Sequence, residues 1–227
     1  MTHLPSAERH GAGAPALRVP AATVALEPVT FEVLRGDETG PGADSLRLGV
    51  MDVRLEVFVL EQAVPFVQEI DARDFESTTL HVLARGADST PLGAGRLLTD
   101  PAHPGHAHLG RLAVRRLARG TGLGARLVAA LEAAAIEHAE HAGRAAGAAQ
   151  AADPLEDPEA GEDGAPSGPR SVTVILSAQE QAMGFYERCG YRVVDARRYL
   201  DAGIWHRDMA RTVPAPRGAV GAGAARG

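Results

Sequence analysis

The sequence predicts one α/β domain (an α+β mixed sheet), and three observations support this fold class. Short runs of apolar and β-branched residues alternate with stretches that have the three-to-four-residue spacing of amphipathic helices. Several strands precede a long helix, and a strand, a short helix and closing strands follow it. The 227 residues are 45% hydrophobic and 23% charged, which is ordinary for a globular domain.

The first predicted elements are a strand at residues 30–34 and an amphipathic helix. The apolar residues of this helix recur every three or four positions, at Leu46, Val50, Val53 and Val57. Ser45 precedes them, and a serine side chain can accept a hydrogen bond from the first helical turn. We therefore predict that Ser45 caps the helix.

Three strands and a long helix are predicted next. The strands lie at residues 79–84, 93–98 and 108–114, and a turn at 86–91 separates the first two. The helix covers about 124–141. Its apolar stripe consists of Leu127, Leu131 and Ala134.

The C-terminal part predicts the remaining elements. Residues 172–176 form a β-branched run that is typical of a buried strand. A short helix is predicted at 182–188. Closing strands are predicted at 191–194 and 204–211.

The domain boundaries follow from composition. Residues 1–28 and 214–227 are rich in alanine, proline and glycine without clear periodicity, so both are predicted to be disordered tails. One domain remains at 29–213. It contains an acidic insertion at 143–169, which is predicted to be disordered.

The acidic insertion carries the whole net charge of −6. Residues 150–169 contain no arginine and six acids, Asp153, Glu156, Asp157, Glu159, Glu162 and Asp163. The rest of the chain is formally neutral. The insertion is interpreted as a solvated loop without a role, and a docking segment for a basic partner is the alternative.

The composition also excludes mechanisms. The chain has no lysine and no asparagine, so a lysine Schiff base, a phosphate-binding Walker lysine and N-glycosylation are excluded. A single cysteine, Cys189, permits neither an intrachain disulfide nor a cysteine-cage zinc site. We expect a cytoplasmic protein with no membrane span and, given its negative charge, no nucleic-acid partner.

The most informative segment is the glycine-rich turn at residues 112–125, LAVRRLARGTGLGA. A strand leads through arginines into a helix start, where free backbone N–H groups and the helix dipole favour a phosphate. A dinucleotide fingerprint would need a glycine where Ala125 stands, and it would lie near the start of the fold. A purely geometric helix entry and another pyrophosphate-binding protein remain open on this pattern alone.

Two motifs in order resemble those of one family. Arg119-x-x-Gly122-x-Gly124, directly after a strand, resembles the acyl-CoA-binding motif Gln/Arg-x-x-Gly-x-Gly/Ala of the GNAT superfamily of N-acetyltransferases. FYERCGY at residues 185–191, preceded by SAQ at 177–179, resembles the second signature of the family.

The resemblance extends to one branch of that superfamily. RLEVFVLEQ at 54–62, the pair Glu69 and Asp71, and GIWH at 203–206 are similar to the ElaA-type branch, so the likeness covers about residues 45–211. The acidic insertion is longer than usual there, and Trp205 stands where proline is common. The resemblance implies a GNAT-like fold, with a central, mostly antiparallel sheet of splayed strands flanked by helices.

The resemblance also implies a site for acetyl-CoA as co-substrate. Backbone groups of residues 112–114 would meet the pantetheine arm, helped by a bulge in that strand, and residues 119–125 would hold the pyrophosphate. Gln179 matches a polar cofactor contact. The implied cofactor-binding residues are Leu112, Ala113, Val114, Arg119, Gly120, Thr121, Gly122, Leu123, Gly124, Ala125 and Gln179.

Tyr186 matches the family's tyrosine that protonates the departing thiolate. The reference pKa values of a phenol, about 10, and of a thiol, about 8.5, lie close enough for this role. The base that accepts a proton from the amine remains open. Glu61, Glu69, Asp71, His206 and a water chain are the candidates.

The function implied is transfer of an acetyl group directly to an amine of a small molecule or peptide, within a ternary complex. A non-catalytic acyl-CoA-binding module is the alternative. His103, His106 and His108 lack a firm carboxylate or cysteine ligand beside them, so we predict no metal. A monomer or homodimer is expected.

Overall fold

A computed structural model describes residues 27–151 and 171–215, with the side chains of 146–151 excepted. The predictions for residues 1–26, 152–169 and 216–227 therefore lie outside the described residues. In the described ranges, no helix is both long and apolar enough to cross a membrane.

An eight-stranded sheet organises the described chain. Its strands are β1 (Thr30–Arg35), β2 (Thr79–Arg85), β3 (Pro91–Thr99), β4 (His106–Val114), β5 (Ser171–Gln179), β6 (Arg192–Val193), β7 (Tyr199–Asp201) and β8 (Ile204–Pro214). The order across the sheet is β1-β2-β3-β4-β5-β8-β6, and β7 pairs with β8. β4 and β5 are parallel, and the other pairs are antiparallel.

Helices cover both faces of this sheet. The α-helices are α1 (Pro41–Arg54), α2 (Phe66–Glu69), α3 (Leu123–Ala151) and α4 (Met183–Arg188). A π-helical segment, Leu55–Glu61, continues α1, and short 3₁₀ turns lie at Ala72–Phe75, Arg116–Ala118 and Glu180–Ala182.

Two hydrophobic cores separate the helices from the sheet. On one face, Leu46, Val50 and Val53 of α1 pack against a small cluster that includes Leu83 and Ala94 of the sheet. On the other face, the apolar stripe of α3 packs against the larger cluster. The predicted helical spacing is thus confirmed, because the stripe residues of both helices are buried.

Three local predictions need correction. Ser45 does not cap α1, because the helix already begins at Pro41, where a proline fits the first turn. α3 runs to Ala151, so the predicted helix end at about 141 and the predicted disorder over residues 143–151 are wrong. The short strand β7 was not predicted.

The parallel strands β4 and β5 separate along their length. They are paired only from His106 and Thr173 to Leu109 and Leu176. The C-terminal half of β4 is paired with β3 alone, so its other edge faces the gap between the two strands. This is the splayed, mostly antiparallel sheet predicted from the sequence.

A β-bulge reverses the side-chain alternation of β4. The register with β3 shifts between Ala94 and Arg96, and Arg111 has a left-handed backbone with φ 53°. Before the bulge, Leu109 faces the larger core. After the bulge, Leu112 faces this core and Ala113 does not. The expected bulge in this strand is confirmed.

Candidate active site

A cleft of about 1240 Å³ opens where β4 and β5 separate. One wall is the free half of β4 with the glycine turn after it, and the other is the end of β5 with α4. The π-helical segment and the start of β8 complete the lining. The two sequence motifs, which are more than 60 residues apart, therefore meet at one site.

The β4 wall offers main-chain groups rather than reactive side chains. Leu112, Ala113 and Val114 line the cleft, and their side chains alternate between the two cores. Past Leu109 this edge of β4 has no partner strand among the described residues. Backbone N–H and C=O groups there can bind an extended, amide-containing ligand as a further strand would.

The glycine turn requires glycine where its backbone adopts positive φ angles. Gly120 and Gly122 have φ of 78° and 85°, a region that side chains rarely adopt, and a Cβ on either would meet nothing within 4 Å. The Gly122 carbonyl accepts from the amides of Ala125 and Arg126 at 3.1 and 3.2 Å, so the helix begins here. An open surface at a helix N-terminus suits a phosphate.

Gly124 has a different role. A Cβ at this position would lie 3.2 Å from a ring carbon of Phe185. The absence of a side chain therefore brings the start of α3 against α4, the helix that also carries Tyr186.

Two of the predicted contact residues do not line the cleft. The Thr121 hydroxyl donates to the Ala118 carbonyl at 2.8 Å, and the side chain of Leu123 is buried in the larger core. Both residues support the turn on the side that does not face the cleft. The other predicted cofactor-binding residues and Tyr186 line the cleft, as do the candidate bases Glu61, Glu69 and His206, whereas Asp71 does not.

Arg119 ties the glycine turn to the π-helical segment. Its Nη2 donates to Glu61 Oε2 at 2.7 Å, and its Nε donates to the Val114 carbonyl at 2.9 Å. The carboxylate of Glu61 is thereby held as an ion-pair partner.

Gln179 lies at the end of β5 and bridges to the π-helical side of the cleft. Its amide nitrogen donates to Gln62 Oε1 at 3.0 Å, while its own oxygen accepts from Gln181 at 2.9 Å. Gln62 also lines the cleft. The pair connects the two sides of the cleft in this structure.

Tyr186 lines the cleft as the one tyrosine on α4. Its ring makes edge contacts with Phe185 and Tyr191 at centroid distances of 5.0 and 5.9 Å. Burial raises the pKa of the Tyr186 phenol well above its ordinary value of 10. The group is therefore a neutral hydrogen-bond donor at physiological pH.

Glu69 and Asp71 belong to a buried network of charges behind the bulge. Glu69, 2% exposed, pairs with Arg54 and, at 3.2 Å, with Arg111. Asp71 Oδ2 accepts from Arg96 Nη1 at 2.7 Å. Partial burial is the largest single influence on the pKa of Asp71 and raises it, but the hydrogen bonds from Arg96 and from the Arg73 amide, with the charges of Arg96 and Arg111, together lower that pKa.

Asp74 is the centre of this network, and the sequence did not reveal its role. Its two carboxylate oxygens accept from Arg54 Nη1 at 3.0 Å and from Arg96 Nη1 at 2.8 Å. Its backbone carbonyl lies 2.9 Å from His81 Nε2. These partners come from α1, β2 and β3, so no local pattern could have indicated them.

His206, the remaining candidate base, lies on the β8 side of the cleft. Its Nδ1 is 2.9 Å from the Ile204 carbonyl, and its ring stacks on Tyr199.

His103, His106 and His108 do not form a metal cluster. Among the described residues, no group of three or more possible ligands is placed to hold a metal. His103 instead contacts Asp100 at 2.7 Å.

Sequence comparison assigns the chain to a family. Residues 50–153 match the family model of the Acetyltransferase (GNAT) family. The chain is 35% identical over 157 residues to a Bacillus subtilis (strain 168) protein named uncharacterized N-acetyltransferase YjcF, covering 69% of this chain and 86% of that protein. The chain belongs to the GNAT acetyltransferase family, and it is an acyltransferase.

Solved structures agree with this fold. An acyl-CoA N-acyltransferase from Pseudomonas aeruginosa is 28% identical, with a TM-score of 0.54, over 81% of this chain and 99% of that one. Escherichia coli ElaA has the same fold, with a TM-score of 0.53 at 22% identity, over 81% and 99%. The predicted family resemblance is confirmed, and these comparisons do not support the alternative of a protein that binds another pyrophosphate.

Proposed function

We propose that this protein is an acetyl-CoA-dependent N-acetyltransferase that transfers acetyl directly to an amine of a small molecule or peptide in a ternary complex. One observation carries the proposal. A single cleft joins a free strand edge, an open glycine turn at a helix N-terminus, and a buried neutral tyrosine. A cytoplasmic location and a monomer or homodimer belong to the same proposal.

In this scheme, the free edge of β4 and the glycine turn bind the co-substrate. Acetyl-CoA supplies the acetyl thioester. The edge of residues 112–114 holds the pantetheine amides, and the N–H groups of residues 120–125 hold the pyrophosphate without lysine. Gln179 offers a further polar contact once its bond to Gln62 opens.

Tyr186 acts as the acid. Its phenol donates a proton to the sulfur as the thiolate leaves, so no covalent enzyme intermediate is needed. Holding both reactants in one cleft makes the attack effectively unimolecular, which can lower the barrier by about 7–11 kcal/mol.

Calorimetry with acetyl-CoA, CoA and NAD, followed by a thiol-release assay over an amine panel, tests the proposal. We expect binding of both CoA species, no NAD binding, and thiol release with at least one amine. Tight CoA binding without release would identify a non-catalytic acyl-CoA-binding module instead. NAD binding without CoA binding would contradict both.

A further inference from the structure

We infer that His206 is the general base, and that it takes the proton from the acceptor amine through Nε2. This assignment rests on the proposed function, because it names the base of the same transfer. It follows from the place of His206 in the sheet, from the hydrogen bond of its ring, and from the partners that occupy the other candidates.

Sheet register places His206 opposite Gln179, at the strand end that leads to the predicted acid. His206 pairs with Gln179 across β5 and β8, so both side chains leave the same face of the sheet, and both line the cleft. Gln179 is the last residue of β5, and the chain runs from it through one 3₁₀ turn into α4 and Tyr186. The predicted acid thus follows the strand end with which the proposed base is paired.

The ring of His206 is held in one orientation. It is 8% exposed, and it stacks on Tyr199 with an interplanar angle of 19° and a centroid distance of 6.0 Å. Nδ1 lies 2.9 Å from the carbonyl oxygen of Ile204. A carbonyl can only accept, so Nδ1 carries the hydrogen, and in the neutral ring Nε2 is a free acceptor.

The carboxylates of the same region are already engaged. Glu61 accepts from Arg119, and the buried Glu69 is paired with Arg54 and Arg111. Asp71 is bonded to Arg96, which lowers its pKa and makes it a poorer base. Each of these three carboxylates is thus already an ion-pair partner of at least one arginine.

Two other titratable side chains line the cleft, Asp201 and His108. Both are exposed, and neither has a hydrogen bond among the described residues that would hold it in one orientation. A general base must be held within reach of the proton it removes. Of the cleft-lining groups, His206 meets this requirement.

The proton balance of the step is as follows. Nε2 of His206 takes one proton from the incoming ammonium, and the free amine forms the C–N bond while the C–S bond breaks. Tyr186 gives its proton to the sulfur, and the second proton of the attacking nitrogen restores the phenol. Histidine then releases its proton to water, so acetamide, CoA thiol and one proton are the products.

The tautomer of His206 can be measured without an acceptor. Nitrogen-15 spectra of the histidine rings of the full-length protein, compared with those of His206→Gln, assign the His206 signals. We expect a protonated Nδ1 and an unprotonated Nε2 in the neutral ring. A ring with its hydrogen on Nε2 would overturn the assignment.

A set of amines tests the chemistry. Propylamine, 2-methoxyethylamine and 2,2,2-trifluoroethylamine are similar in size and decrease in basicity, so the last arrives largely neutral at pH 7.5. We expect His206→Gln to lower kcat about 100-fold with propylamine and much less with trifluoroethylamine. An equal loss with all three would mean a structural role and would refute the inference.

Asp201→Asn and His108→Gln are the matched controls, because they remove the other titratable groups that line the cleft. We expect both to retain wild-type dependence on amine basicity. If one of them shows the selective loss instead, that residue is the base. Absence of CoA release by the wild-type protein with every amine would contradict the proposed function, and the assignment of His206 would fall with it.

Discussion

Arg119 Nη2 lies 2.7 Å from Glu61 Oε2, and this ion pair joins the glycine turn to the π-helical segment that follows α1. The same guanidinium donates to the Val114 carbonyl at the end of the free strand edge. One arginine thus connects three parts of the cleft wall. Its role in the structure is to position backbone groups, whatever further contact it makes with a ligand.

Arg119→Ala should weaken acetyl-CoA binding about tenfold, or about 1.4 kcal/mol. The side chain is 42% exposed, so the ion pair contributes little by itself, and the bond to the Val114 carbonyl contributes about 1 kcal/mol. Titration calorimetry measures the change. Arg35→Ala, which removes a surface arginine outside the cleft, should bind normally, and unchanged binding by Arg119→Ala would refute the positioning role.

Gly122→Asp should lower acetyl-CoA affinity by more than about 100-fold, because it places a side chain and a negative charge where the phosphate is expected. Gly203→Asp is the control. Gly203 also has a positive φ, 77°, and open space around its Cβ position, but it lies in the turn between β7 and β8. Equal losses in both variants would show that backbone strain, and not phosphate exclusion, is the cause.

Tyr186→Phe should lower kcat about 100-fold or more while acetyl-CoA affinity stays nearly constant. Burial raises the pKa of this phenol, so the phenol stays protonated. At pH values below about 10, ionisation of Tyr186 should therefore not lower the rate. Steady-state kinetics and calorimetry separate the two effects. Tyr191→Phe removes a neighbouring hydroxyl outside the cleft and serves as the control. A wild-type kcat in Tyr186→Phe would remove the assigned acid.

Asp74→Asn should lower the free energy of unfolding by about 3–5 kcal/mol, because it leaves the guanidinium groups of Arg54 and Arg96 buried with too few acceptors. Urea denaturation measures this loss. Asp37→Asn breaks an exposed pair with Arg35 and should cost less than about 1 kcal/mol. A similar small cost at Asp74 would mean that water reaches the network.

Asp71 should make the fold sensitive to acid. Its pKa is lower in the folded protein than in the unfolded chain, so its stabilisation is present above the unfolded value, near pH 4, and is lost as the pH falls through the folded value. Unfolding free energies measured between about pH 5 and 2 should fall less steeply in Asp71→Asn. A parallel decline in both proteins would contradict the shift.

The sequence predicted the parts of the fold that depend on local spacing. The buried faces of α1 and α3 followed from residues such as Val50 and Leu131, which recur at helical intervals. The role of Gly120 and Gly122 in the turn was predictable, because the backbone conformation there excludes most side chains. Residues 143–151 were misjudged because an alanine-rich helix can continue after its apolar stripe has ended.

The site was less predictable where it depends on distant contacts. Nothing near Glu69 or Asp71 in the sequence indicates that Arg54 and Arg96 bind them. The position of the bulge did leave a signal. Leu109 and Leu112 face the same core although they are three positions apart, whereas in a regular strand residues on one face are two or four positions apart.

Because the bulge adds one residue to β4, the number of residues in this strand matters as much for its packing as their identity. Deleting Arg111 would restore regular alternation and exchange the faces of everything that follows, so Leu112 and Val114 would leave the larger core and Ala113 would enter it. Under the proposed function the ligand-facing groups of this stretch belong to the main chain, so side chains that fill their cores should be exchangeable. In this stretch we therefore expect the chain to tolerate substitutions better than the loss or gain of a single residue.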